Sequence, residues 1–322
     1  MTTAAISTTP PPRLPHLLDI ASLDEHDVHT LISLCHHFER HGPTPLLTGK
    51  TVAILFFEAS TRTRVSFELA LRRLGAEVVI IQGAGSSATK GETLQDTMLT
   101  LAAMDVDAII LRHPESGTAA ELARTAPDGM AIINAGDGAH EHPSQALIDA
   151  YTLHSAGIGI PGSILTIVGD LRHSRVARSN IALWHLLGAA EIRIAGPAAF
   201  LPEQLPPGPV KVFTRFDDAL PDSDAIMMLR IQRERMSGIN LPDRSTYHNE
   251  WGLSPQRLQL TPAHCRVLHP GPLNRGVEID SSVADGDRSL IIHQVRSGVY
   301  MRMAILVSVL LASTDLPLAD SR

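Results

Sequence analysis

Two cysteines, Cys35 and Cys265, are all that 322 residues contain. They are too few for a disulfide framework and lack the spacing of a metal site, which points to a reducing compartment and a cytoplasmic protein. Basic residues are not in excess either: 27 Lys and Arg against 34 Asp and Glu give a formal net charge of -7. That excludes a general nucleic-acid surface, so any anion site must be local. Long apolar runs are missing. The longest, Ala304 to Ala312, falls well short of the roughly 20 residues that span a bilayer. Met1 to Pro12 has neither the basic region nor the apolar core of a secretory signal, and the expectation is a flexible tail over residues 1–14 on a protein with no membrane segment. No low-complexity segment or internal repeat stands out beyond the prolines around Pro206 to Pro209. No Gly-x-Gly-x-x-Gly follows the strand-like run that ends at Val168, where Gly169-Asp170-Leu171-Arg172 stands instead. A nucleotide-binding oxidoreductase is therefore a weak reading.

What is present alternates between strand and helix. Thr51 to Phe57 is short and apolar throughout, the pattern of a strand covered on both faces. Phe67, Ala70, Leu71 and Leu74 then recur at helical spacing, with Gly75 at the place of a helix stop. Ser22-Leu23-Asp24-Glu25 reads as a capping box ahead of a stripe of Val28, Leu31, Ile32 and Cys35. Further strand-like runs lie at 78–81, 108–111 and 131–133. After the glycine-rich boundary at Gly157 to Gly162, others follow at 164–168, 192–195, 225–229 and 267–268. The length is generous for one core. The fold class expected is α/β, with two doubly wound parallel-sheet domains.

Ligands bind at the carboxyl ends of the strands in such sheets. Ser60, Thr61, Arg62 and Thr63 follow the first strand and Arg112 another; His142, Ser144 and Gln145 come after Ile132-Ile133. In the second half, Arg172 and Arg175, then Arg230 and Gln232, then His269-Pro270-Gly271-Pro272 follow three strands. Arginine at four strand ends, with hydroxyls beside it, describes a convergent polyanion site in an acidic protein. Ser60 to Arg64, between a strand and a helix, is suited to a phosphate, because free backbone N–H groups and the positive dipole end meet there. The plain alternative is a Ser cap followed by solvated arginines. Gly83 to Thr93 reads as a mobile loop in which Lys90 is either solvated or a cation that closes over an anion, with Thr93 starting the next helix. His140-Glu141-His142 lacks the i, i+4 spacing of a zinc-protease pair and has no evident third ligand.

Ser60-Thr61-Arg62-Thr63-Arg64, the Ser86 to Thr93 loop, His142-Pro143-Ser144-Gln145, Arg230-Ile231-Gln232-Arg233-Glu234-Arg235 and His269-Pro270-Gly271-Pro272 together resemble the aspartate carbamoyltransferases, over about Leu17 to Leu311. The first motif is shared with ornithine carbamoyltransferases. The Lys90 loop and Arg230-x-Gln232 resemble the aspartate branch, which leaves ornithine as the alternative acceptor. The resemblance implies transfer of a carbamoyl group from carbamoyl phosphate to L-aspartate, in pyrimidine biosynthesis, without metal or organic cofactor. It implies a carbamoyl-phosphate domain over residues 15–151 plus 295–322 and an aspartate domain over 152–294, joined by helices, with the active site in the cleft between them. By the same resemblance Ser60, Thr61, Arg62 and Thr63 hold the phosphate; Thr63, Arg112 and His142 polarise the carbonyl oxygen; Gln145 binds the carbamoyl nitrogen. Arg175, Arg230 and Gln232 bind the acceptor's carboxylates, and Pro270, Gly271 and Pro272 supply backbone contacts. Ser86 and Lys90, the latter also an aspartate ligand, reach a neighbouring subunit's site in a homotrimer. Gly271 replaces the Leu of the enteric pattern, and members of the family differ in carrying a zinc-bearing regulatory chain, a dihydroorotase-like chain or neither. The apolar stripe Val295, Val299, Met303, Leu306 and Leu310 is expected to return as a helix to the first domain.

Overall fold

The computed structural model describes residues 14–82, 92–232 and 243–311. The described chain divides into two compact units, residues 1–144 with 297–322 and residues 145–296.

In the first unit, α1 (Glu25–His41) leads to β1 (Thr51–Phe56), α2 (Thr61–Arg73), β2 (Glu77–Gln82), α3 (Leu94–Ala102), β3 (Ala108–His113), α4 (Thr118–Arg124) and β4 (Ala131–Asp137). The strands form one parallel sheet in the order β2-β1-β3-β4. β1, β3 and β4 are covered on both faces, which is why they are apolar at consecutive positions rather than alternate ones. Ala53, Leu55, Ile109, Leu111 and Ile132 pack on one face with Met98 and Leu101 of α3 and Ala119 and Leu122 of α4. Val52, Ile54, Ile110 and Ile133, which point the other way, are equally buried. The helical stripe Phe67, Ala70, Leu71 and Leu74 is completely buried. Gly75 ends α2 with φ 79°, and the N–H groups of Gly75 and Ala76 donate to the carbonyls of Arg72 and Leu71, a Schellman stop.

The first helix starts two residues later than the capping box read from the sequence. Asp24 is the cap, and its carboxylate accepts from the Asp27 N–H while Asp27 accepts from the Asp24 N–H. Ser22 instead closes a turn with Asp19, donating its N–H to the Asp19 carboxylate at 2.8 Å. Asp and Ser cap equally well, and the local turn decided between them.

The second unit begins in α5 (Pro143–Ser155) and continues through β5 (Ile164–Val168), α6 (Arg175–Leu186), β6 (Glu191–Ala195), β7 (Val210–Phe213), β8 (Ala225–Met228), α7 (Arg244–Trp251), α8 (Pro255–Leu258), β9 (Arg266–Leu268), α9 (Ser281–Ala284) and into α10 (Ile291–Leu310). Its parallel sheet runs β7-β6-β5-β8-β9. Val168, Ile226, Met228 and Val267 pack with Tyr247 and Trp251 of α7 in the core. β7 lies at the sheet edge with its middle residues exposed, so no apolar run announced it, and the prolines before it read as loop. Val295 is likewise 48% exposed although Met303 and Leu306 are buried: the end of α10 is enclosed on all sides, and no single stripe describes the helix. Among the described residues no helix is long and apolar enough to cross a membrane.

Candidate active site

Each sheet reverses its winding at one place. In the first unit this switch lies between β1 and β3, in the second between β5 and β8. Strand ends beside a switch leave a crevice that helix connections do not cover. Ser60 to Arg64 and Arg112 lie on or just past the strands that flank the first switch, and Arg175, Arg230 and Gln232 follow those that flank the second; His142 and the His269–Pro272 segment follow the outer strands β4 and β9.

In the first unit the register pairs Phe56 with Arg112, so Arg112, the last residue but one of β3, lies beside the segment that runs into Ser60. Arg112 is 9% exposed. Its guanidinium donates to the Ala135 carbonyl at 3.1 Å and pairs with Glu58 at 3.3 Å, which fixes the plane of the fork. Ser60 occupies the cap position of α2 in an extended conformation, yet its hydroxyl makes no capping bond. Thr61 and Arg62 are exposed in the first turn and Thr63 is buried. That turn contains no acidic residue and two arginines, Arg62 and Arg64. Cations at the positive end of a helix dipole are unfavourable unless an anion joins them.

His142 is 4% exposed, just ahead of α5, and its Nδ1 lies 3.5 Å from the Ser144 hydroxyl. Asp137, buried at the end of β4, shapes the loop that delivers it. The Asp137 carboxylate accepts from the N–H of Gly117 at 2.7 Å, the Asn134 amide at 3.0 Å and the N–H of Glu141 at 3.1 Å, and lies 3.3 Å from His140 Nδ1. His140 is thus engaged within the loop. Among the described residues no group of three or more His, Cys, Asp or Glu side chains could hold a metal.

In the second unit Arg175 opens α6 and is 5% exposed, while the Ser174 hydroxyl caps that helix by accepting from Ala177. Gly169 precedes it with φ 127°, and a Cβ there would stand 2.7 Å from the Leu229 carbonyl. Only glycine lets β5 and β8 approach so closely at the switch. Arg230 and Gln232 follow β8, and the Gln232 N–H points to the buried Asp170 carboxylate at 3.4 Å. Asp170 also accepts from His173, through the backbone N–H at 3.2 Å and the ring Nδ1 at 2.9 Å. Gln145 reaches Asp149 at 2.8 Å. After β9, His269 Nδ1 accepts the Gly271 N–H at 2.8 Å, and the Gly271–Pro272 peptide bond is cis. The first turns of α5 and α6, like that of α2, lack acidic residues. Tyr247 lies in the core of this unit; burial, and then the charges of Glu278 and Asp170, push its phenol far above the usual range.

Two family descriptions cover most of the chain. Residues 15–155 match "Aspartate/ornithine carbamoyltransferase, carbamoyl-P binding domain" and residues 162–309 match the "Asp/Orn binding domain" of the same family. The chain belongs to the aspartate/ornithine carbamoyltransferase family. Within it, the aspartate carbamoyltransferase catalytic subunit of Rhodococcus opacus is 46% identical over 310 residues, 93% of this chain and 98% of that protein. That of Mycobacterium bovis is 46% identical over 309 residues, 93% and 97% of the two chains. The aspartate transcarbamoylase of Trypanosoma cruzi, solved with carbamoyl aspartate and phosphate, superposes with a TM-score of 0.83 at 30% identity, covering 95% of this chain and 97% of that one. Its complex with N-(phosphonacetyl)-L-aspartic acid gives 0.81 at 30% identity, over 94% and 98% of the two chains.

Ser86 and Lys90 lie outside the described residues, as do residues 233–242, which contain the Arg233-Glu234-Arg235 end of the fourth motif, and residues 1–13 and 312–322 of the expected domains. Sequence reasoning missed the acids behind the site: the half-buried Glu58 and the buried Asp137, Asp149 and Glu278. Only Asp149 left a signal, its i+4 spacing from Gln145 on one helix.

Proposed function

We propose that the protein transfers the carbamoyl group of carbamoyl phosphate to the amine of L-aspartate. The observation that carries this reading is the start of α2: an unspent cap hydroxyl, two arginines and no acid at the positive end of a helix, beside a fixed arginine at the end of the neighbouring strand. Ser60, Thr61, Arg62 and Thr63 bind the phosphate, and Arg112, Thr63 and His142 donate to the carbonyl oxygen as it gains charge. One such donor is worth roughly 2.7–4 kcal/mol where it has been removed in other enzymes. Gln145 receives the carbamoyl nitrogen; Arg175, Arg230, Gln232 and Lys90 hold the acceptor carboxylates; Pro270, Gly271 and Pro272 contribute backbone contacts. The amine forms the new C–N bond as the C–O bond to phosphate breaks, and the departing phosphate takes the proton. Alignment of amine and carbonyl supplies much of the rate.

Residues 15–151 with 295–322 form the carbamoyl-phosphate domain in this reading, and 152–294 the aspartate domain. The product enters pyrimidine biosynthesis in the cytoplasm, which suits two buried cysteines that form no disulfide. The active form is a homotrimer in which Ser86 and Lys90 complete a neighbour's site. The apolar edge strand β2, with Val79 and Ile80 more than a third exposed, supports association with another copy. A larger assembly with a regulatory or dihydroorotase-like chain is part of the same proposal, which the name "catalytic subunit" of the relatives supports.

The test is phosphate release from carbamoyl phosphate with aspartate or ornithine as acceptor. Aspartate should be preferred, and Arg62→Ala should lose about 10²–10³ in kcat with the thermal midpoint unchanged. Preference for ornithine refutes the acceptor; an active Arg62→Ala refutes the phosphate cradle.

A further inference from the structure

Behind the strand ends of the second unit runs a chain of buried hydrogen bonds whose directions are set by one carboxylate. Asp149 is completely buried on α5. Its Oδ1 accepts from the side-chain amides of Gln145 and of Gln294, each at 2.8 Å, and its Oδ2 accepts from the Asn180 amide at 2.9 Å. A carboxylate only accepts, whereas a glutamine amide has one accepting and one donating end. Each glutamine must therefore turn its NH₂ toward Asp149 and its carbonyl oxygen away. For Gln294 the consequence is visible: its Oε1 accepts the His269 N–H at 2.9 Å. His269 continues the series. Its Nδ1 accepts from Gly271, so its proton sits on Nε2 and is donated to Glu278 Oε1 at 3.1 Å. Glu278 in turn receives the Asn274 N–H at 2.5 Å. His269, Glu278 and Gln294 are all buried.

We propose that Asp149 is a positioning residue that fixes the amide orientation of both Gln145 and Gln294, presenting the Gln145 carbonyl oxygen to the NH₂ of the acyl donor and anchoring the His269–Pro272 segment from behind. This rests on the carbamoyl-transfer reading of Gln145. A carbonyl oxygen accepts from a carbamoyl NH₂ and has nothing to accept from a methyl group, so Asp149 is a determinant of donor specificity without touching the donor. Turned the other way, Gln145 would present its own NH₂ to the carbamoyl NH₂, donor against donor.

The experiment compares carbamoyl phosphate with acetyl phosphate, which has a methyl group in place of the NH₂, as acyl donors to aspartate, in the full chain. Wild type tests the carbamoyl-transfer reading by itself: no transfer from carbamoyl phosphate would end that reading before any variant is made. In Asp149→Asn one accepting oxygen becomes a donor of the same size. The ratio of kcat/KM for carbamoyl over acetyl phosphate should then fall by roughly tenfold or more. A general loosening of the fold lowers both donors alike, so an unchanged ratio overturns the proposal. Gln294→Met, which keeps the length but removes both polar ends, should leave the donor ratio as in wild type and raise the KM for aspartate by roughly tenfold. An unchanged KM there overturns the anchoring role, and this variant carries the test if Asp149→Asn does not fold.

Discussion

Replacing Asp137 by alanine removes the acceptor on which the loop before His142 is built. The carboxylate receives two backbone N–H groups, from Gly117 and Glu141, and the Asn134 amide, at 2.7 to 3.1 Å, and is 1% exposed. Hydrogen bonds to a charged group contribute about 1.5–3 kcal/mol each, and a donor left buried without a partner costs about 1–3 kcal/mol. Water entering the space left by the side chain recovers part of this, so a net loss of about 2–4 kcal/mol is expected. For a unit of this size, 1 kcal/mol moves the thermal midpoint by about 2–4 °C, so it should fall by roughly 4–16 °C. Because Glu141 is adjacent to His142, the displacement reaches the imidazole, and a misplacement of about 1 Å costs on the order of 10²-fold in rate. Differential scanning fluorimetry and steady-state phosphate release measure the two effects on one preparation. A midpoint within a degree of wild type together with a kcat within twofold would refute the account of the loop.

Three further outcomes follow from buried or paired groups. Burial pushes the Cys265 thiol up to about 11, and Cys35 is buried as well, so a disulfide exchange reagent at pH 8 should react with neither until denaturant is added; rapid labelling of the native protein would contradict this. Tyr247→Phe deletes a buried hydroxyl that has no hydrogen-bond partner among the described residues, so urea unfolding should show stability unchanged or raised by up to about 1 kcal/mol, and a loss above that would show the hydroxyl is engaged. Burial raises the Glu191 carboxyl, but hydrogen bonds from Lys211 and Arg193 outweigh it and leave the group below its ordinary value. Its contribution is therefore present above the unfolded-state value and lost as pH falls through the folded one. Wild type should exceed Glu191→Gln in stability at pH 7, with the gap closing as the pH drops below about 4; a gap independent of pH would exclude the charge as its source.

The fold was legible wherever burial leaves a pattern. β1 and β3 are covered on both faces and read as unbroken apolar runs, and the α2 stripe occupies the positions that the core requires. β7 was not legible, because an edge strand with exposed middle residues needs no apolar run. Asp24 and Ser22 are equivalent as caps until the turn at Asp19 decides between them. Within the site, the residues just past the strands could be listed from sequence, since doubly wound sheets place their ligands there. Their buried supports could not. Gln294 meets Asp149 across 145 residues of chain, and nothing in local spacing records such a partner.

The two passages of the chain between the compact units, at Ser144–Gln145 and Arg296–Ser297, both fall inside helices, α5 and α10. The first unit is therefore interrupted: its last helical turns are encoded after the whole of the second. Ser308 accepts the Leu14 N–H, and Arg302 lies 4.8 Å over the Phe67 ring, so contacts that close this unit join its first described residue to its last helix. On a ribosome the second unit emerges complete while the first still waits with part of its apolar surface open. Vectorial synthesis thus makes the N-terminal half of the nascent chain the later of the two to finish, and the stretch that depends longest on protection from aggregation.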